Sequence, residues 1–170
     1  MKIVGISQRV DNMTQYNEQR DCLDQRWTAI AHSLGFIAVP LPNLASPVDI
    51  INTIKPDAII LSGGNSISSL DESANDISLI RDEFEQELLF HAIENNTPVL
   101  GICRGMQLIN MFFDGGVQKL SGHVSCRHHI DFVDKKIPLH PREVNSYHNW
   151  GICKSKLSKS LISFAVSKDK

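Results

Sequence analysis

Short runs of apolar, largely β-branched residues recur along the first part of the chain: Lys2 to Ile6, Ile37 to Leu41, Ala58 to Leu61 and Val99 to Ile102. Pro42 closes the second run, and Gly63-Gly64 the third. Runs of this length without polar alternation predict strands buried on both faces. Between them, apolar residues return at helical spacing over Glu18 to Leu34, Val48 to Ile54 and Ile77 to Asn95, and again over Arg104 to Phe113. Strand and helix therefore alternate, which predicts a parallel sheet that binds ligands at the carboxyl ends of its strands. After Gly115-Gly116 the pattern breaks into shorter pieces, Val117 to Leu120, His128 to Val133, Glu143 to Tyr147 and Leu161 to Val166. These predict hairpins and returning strands. The fold class expected is α/β, a three-layer α/β/α sandwich around a mostly parallel sheet, with added β-hairpins in the C-terminal third.

Composition narrows the partners more than the fold. The chain has 170 residues, of which 42% are hydrophobic and 21% charged, which suits one domain spanning 1–170. A net charge of -2, with cations scattered until a mildly basic tail, offers no stripe for nucleic acid or an anionic membrane. The partner expected is a small molecule. The apolar start of MKIVGISQRV is too short for a signal peptide, and no stretch approaches the ~20 apolar residues of a membrane span. A cytoplasmic protein is expected.

Cys22, Cys103, Cys126 and Cys153 form no C-x-x-C pair and are expected as free thiols. His123, Cys126, His128 and His129 are zinc-ligand types, but their spacing fits no common zinc module, so a His-rich hairpin is the favoured reading. No metal and no cofactor is expected.

The chemistry-bearing stretch is VLGICRGMQ, Val99 to Gln107. A Gly-x-Cys-x-Gly at a strand-to-helix junction is a nucleophile elbow: a strained turn exposes the central side chain, and the glycines let neighbouring backbone pass. The sulfur then sits at the start of a helix, where unpaired N–H groups favour negative charge. A cysteine that merely ends a buried strand would not need Gly101 and Gly105. A nucleophile that attacks a carbonyl also needs donors for the oxyanion, and LSGGNS supplies a candidate. If the strand before Gly63-Gly64 lies beside the elbow strand, the N–H groups of Gly64 and Arg104 can converge on one oxygen.

LSGG, then GICRGMQLIN, then VNSYHNWG resemble the class I glutamine amidotransferases, a flavodoxin-like fold, and RDEFE at Arg81 to Glu85 points to their γ-glutamyl hydrolase (peptidase C26) relatives. The resemblance runs along essentially the whole chain. It implies hydrolysis of a γ-glutamyl amide through a cysteine thioester, with Cys103 as nucleophile, Gly64 and Arg104 as oxyanion donors, and Gln107 as a contact to the glutamyl group. It also implies that Ser146, Tyr147 and His148 line the glutamyl pocket. LSGGN with RDxFE is similar to small hydrolases of bacterial surface-polysaccharide pathways, for which a γ-glutamyl-CDP-amidate is one substrate. An amidotransferase would instead pass ammonia to a partner synthase.

One departure matters. The family's base is the histidine of a C-terminal His-Pro-Glu, and none follows Val166; His140-Pro141-Arg142 precedes NSYH and lacks the Glu. The expectation is that the triad His and Glu lie beyond Lys170, leaving residues 1–170 weak or inactive by themselves. The alternatives are His148 acting as base, or a binding domain with an incomplete triad. Arg81 and Glu85, four apart on a helix, read either as a surface ion pair or as a border of the substrate entrance.

Overall fold

The structure, a computed structural model, describes residues 1–133 and 143–167 and divides into two compact units, Met1–Ile109 and Asn110–Lys170. In the first unit the four apolar runs become β1 (Lys2–Ser7), β4 (Phe36–Leu41), β5 (Ala58–Leu61) and β6 (Val99–Gly101). They pair in parallel, in the order β4-β1-β5-β6. Every residue of β1 from Val4 to Ser7 is buried, as a central strand covered on both faces requires. Val4, Ile6 and Ala31 form a core cluster joined by Leu23, Trp27, Phe36 and Ile60. The chain leaves β1 for the strand on one side of it and returns on the other, so the carboxyl ends of β1 and β5 form a topological switch point.

The helical segments are α1 (Arg26–Ser33), α2 (Pro47–Asp49, continued by a π turn over Ile50–Ile54), α3 (Leu79–Glu94) and α4 (Arg104–Phe112). Ser78 caps α3 by accepting the Arg81 N–H at 3.4 Å, and Ser46 caps α2 in the same way. On α4, Leu108 is buried, whereas Met106 is half exposed.

One expected element is wrong. The Glu18–Leu34 helix is cut back to α1, because β2 (Arg9–Met13) and β3 (Glu18–Cys22) form an antiparallel hairpin. Its turn needs Asn17 at φ 51°, a conformation Asn tolerates. The hairpin is held from outside itself: Asn43 bonds both carboxylate oxygens of Asp21, and Asn65 bonds the N–H and carbonyl of Val10.

In the second unit β8 (Val124–Phe132) lies between β9 (Glu143–Tyr147) and β11 (Ala165–Ser167), and β7 (Gln118–Lys119) pairs with β10 (Trp150–Gly151). All these pairings are antiparallel. Ser125, at φ 56°, marks a bulge where the β8–β9 register slips. Asn110 anchors this unit, donating to the carbonyls of Gly116 and Lys156 and accepting from the Ser158 N–H. Among the described residues, no helix is long and apolar enough to cross a membrane.

Candidate active site

At the end of β6 the last ladder bond runs from the Ile102 N–H to the Leu61 carbonyl at 2.9 Å, and α4 starts at Arg104. Cys103 lies between them at φ 54°, exposed to solvent. A side-chain-bearing residue held there costs on the order of 1–3 kcal/mol, which the surrounding packing must offset. The two glycines show how it does. A Cβ on Gly105 would stand 2.2 Å from the Leu61 carbonyl oxygen, and one on Gly101 would stand 2.6 Å from the Gly105 backbone. The elbow thus presses α4 directly onto β5.

Beside it, after β5, comes Ser62-Gly63-Gly64-Asn65. Ser62 is tied to Ser7 at the end of β1 through its own N–H (2.9 Å) and its hydroxyl (2.7 Å). The Gly63 α-carbon lies against Cys103, since a Cβ there would be 3.5 Å from the Cys103 Cβ. Gly64 is at φ +86°. Among the described residues, no acceptor takes the N–H of Gly64 or that of Arg104.

Arg81 and Glu85 are neither a surface pair nor an entrance border, for both are fully buried. Arg81 donates from Nε to Glu85 at 2.8 Å, from Nη2 to the carbonyls of Ser62 (2.9 Å) and Gly63 (3.1 Å), and from Nη1 to the Gly64 carbonyl (3.1 Å) and Asn65 Oδ1 (3.0 Å). The other Glu85 oxygen receives Arg104, which also pairs with Asp82. Asp82 in turn accepts the Ser68 N–H at 2.9 Å. Burial pulls the Arg81 guanidinium below its ordinary range, and Glu85 opposes that pull. Two cations and two carboxylates balance in this network.

A cleft of about 370 Å³ opens at the switch point, lined by Arg9, Asp24 and Trp27 together with Ser62, Gly63 and Gly64. The Arg9 stem crosses the diglycine turn: a Cβ on Gly64 would meet its Cδ at 3.0 Å. Gln107, one turn into α4, is buried, and its N–H donates to the Cys103 carbonyl at 3.2 Å.

In the second unit, Ser146 and Tyr147 sit on β9 with opposite exposure. Ser146 is buried and its hydroxyl donates to the His123 carbonyl at 2.6 Å, while Tyr147 is exposed. The His148 ring stands 5.2 Å from that of His123, which stacks on His128 at 4.4 Å. Cys126 Sγ contacts His128 Nε2 at 3.2 Å and donates to the Gly122 carbonyl. Among the described residues, no group of three or more His, Cys, Asp or Glu is placed to hold a metal ion. His140 and Pro141 lie outside the described residues.

Among the described residues, His148 Nδ1 is buried without a hydrogen-bond partner. Burial pushes the His148 imidazole below its usual 6.5, His123 and then His128 push the same way, and a backbone hydrogen bond to Trp150 opposes them. The unfolded chain therefore takes up this proton first. The stability that neutral His148 contributes is present above about pH 6.5 and lost as pH falls below it. Thermal unfolding measured between about pH 7.5 and about pH 5.5 should show a falling Tm that flattens in His148→Gln; equal slopes would refute this.

The sequence profile of the peptidase C26 family matches residues 2–170, nearly the whole chain. This chain belongs to the peptidase C26 family. It is 34% identical over 170 residues to the γ-glutamyl-CDP-amidate hydrolase of Campylobacter jejuni, covering 98% of this chain and 78% of that protein. One subunit of the glutamine-hydrolysing GMP synthase of Pyrococcus furiosus is 37% identical over 108 residues, covering 64% of this chain but only 47% of its own length. The fold superposes on a Thermotoga maritima glutamine amidotransferase with a TM-score of 0.69 at 15% identity, covering 98% of this chain and 67% of that one.

As a peptidase C26 member, the chain is an enzyme of the hydrolase and amidotransferase type. The first unit brings Cys103, Gly64, Arg104 and Gln107 to the carboxyl ends of β5 and β6, and the second carries Ser146, Tyr147 and His148 on and after β9. Sequence reading did not find Asn65, which ties the β2–β3 hairpin to the diglycine turn. Nor did it find the link from Arg81 and Asp82 to that turn and to the elbow.

Proposed function

We propose that this chain hydrolyses a γ-glutamyl amide through a thioester on Cys103. The observation that carries this is an exposed thiol on a left-handed elbow, packed against Gly63, with no acceptor among the described residues on the nearby N–H groups of Gly64 and Arg104. Cys103 Sγ attacks the γ-carbonyl, and the two N–H groups take the oxyanion. Collapse breaks the C–N bond, the amine leaves with a proton, and water then cleaves the thioester to free glutamate. By the family resemblance, Gln107 contacts the glutamyl group, and Ser146, Tyr147 and His148 match the family's glutamyl-pocket segment. An imidazole is the group suited to carry that proton.

The leaving group is a phosphoryl-bearing amine of the kind released from γ-glutamyl-CDP-amidate, and the enzyme acts in surface-polysaccharide biosynthesis. The likeness to the Campylobacter hydrolase, which covers 98% of this chain, supports that leaving group. So does the cleft beside Gly63-Gly64, which is lined by the cation Arg9 and the aromatic Trp27. The second reading, a glutaminase that supplies ammonia to a partner synthase, draws on the shorter likeness to the GMP synthase protein.

Purified full-length protein assayed on a panel of γ-glutamyl compounds, with glutamate release as the readout, separates the two. A γ-glutamyl phosphoramidate of a nucleoside diphosphate should be cleaved at least about tenfold faster than glutamine. Release from glutamine alone, and only when a partner protein is added, would favour the glutaminase.

A further inference from the structure

Arg81 spends five of its donor contacts on one short loop, and that loop carries a proposed oxyanion donor. We propose that Arg81 is a positioning residue, its guanidinium holding the carbonyls of Ser62, Gly63 and Gly64 so that the Gly63–Gly64 peptide presents its N–H to the reacting oxygen. This deepens, and rests on, the reading of Cys103 as nucleophile.

The geometry follows from one planar unit. The Gly63 carbonyl and the Gly64 N–H belong to the same peptide, and no peptide bond in the described residues is cis, so the two groups point in opposite directions. With the carbonyl held at 3.1 Å by Nη2 on the buried side, the N–H faces away from Arg81. Two adjacent glycines give this peptide little resistance of its own to rotation. A half-turn would put a carbonyl oxygen where the oxyanion must form, replacing attraction by repulsion. Restraint therefore has to come from a partner, and Arg81 touches both neighbouring carbonyls as well.

Arg81 itself has nowhere to go. Its side chain is 0% exposed, and Glu85 grips Nε while binding Arg104 through its second oxygen. Asp82 holds Arg104 from the other side. One network thus secures both the Gly63–Gly64 peptide and the residue whose N–H is the second donor. Burying four charges is seldom the most stable way to fill such a space, since apolar side chains of similar volume do as well or better. What apolar residues could not do is fix the direction of a peptide dipole. The hole is consequently set in the chain itself and needs no partner to turn a peptide into place.

Arg81→Lys and Arg81→Gln test this, with kcat expressed per Cys103 alkylated by iodoacetamide, a reaction that needs no oxyanion donor. A lysine brings one compact charge and cannot span three carbonyls. Both variants should keep KM within about threefold and lose about 10²-fold or more in kcat, the scale of losing one oxyanion donor. A glutamate γ-semialdehyde analogue, whose adduct with the thiol places an oxygen in the hole, should lose affinity by a similar factor. Unchanged kcat per alkylated Cys103 in both would overturn the proposal and leave Arg81 a structural residue. Should neither variant fold, Glu85→Gln decides: a drop of about tenfold in kcat at constant KM is expected, and an unchanged kcat overturns it. A Cys103→Ala protein that still turned over would instead remove the reading beneath it, so the two failures are distinct.

Discussion

Cys103→Ala is expected to lower glutamate release by at least two to four orders of magnitude while leaving the unfolding transition nearly where it was. The activity term follows from the chemistry: without sulfur no thioester forms, and the oxyanion donors alone leave only residual catalysis, as loss of a nucleophile elsewhere shows. The stability term follows from the backbone. Alanine keeps a Cβ at φ 54°, so the elbow strain stays, and the exposed sulfur removes little packing when it goes. Steady-state assay and thermal melting of the same preparation check both halves. A parent-like rate in Cys103→Ala would place the chemistry elsewhere.

The largest effect on folding should come from Gly105→Ala. The new methyl would sit 2.2 Å from the Leu61 carbonyl oxygen and 2.7 Å from the Leu61 Cβ, and backbone cannot swing aside as a side chain can. Strand β5 and helix α4 would have to separate at the point where the sheet positions the elbow. Overpacking of this kind costs roughly 3 kcal/mol, or about 6–12 °C in Tm for a chain of this size. Gly35→Ala is the control: at φ +82° with no atom within 4 Å it carries backbone strain alone. It should cost only about 1 kcal/mol. If the two variants melted together, the close approach of α4 to β5 would not be what requires glycine at 105.

The elbow and the parallel strands were readable in the sequence because their causes are local. A buried central strand needs an unbroken apolar run, and an elbow that presents an exposed thiol while its flanking backbones pack closely needs glycine two residues away on either side. The β2–β3 hairpin was not readable, because its strands are polar and its restraints come from Asn43 and Asn65, far along the chain. Arg81 and Glu85 were misread for a different reason. Oppositely charged residues four apart usually decorate a solvent face. Here they continue the stripe of Leu88, Leu89 and Ala92, all buried, so the signal lay in their position on the apolar face of α3. What that stripe could not disclose is the diglycine loop at its far end, which only the folded sheet brings within reach.

Everything proposed for the mechanism requires that the glutamyl group pass through a covalent bond to Cys103. Acid-quenching the full-length enzyme during turnover of a γ-glutamyl substrate, then sequencing its peptides by mass spectrometry, tests this. A glutamyl adduct is expected on the peptide bearing Cys103, absent from Cys103→Ala and discharged by hydroxylamine. Steady glutamate release with no adduct at Cys103, sustained in Cys103→Ala, would rule the thioester out.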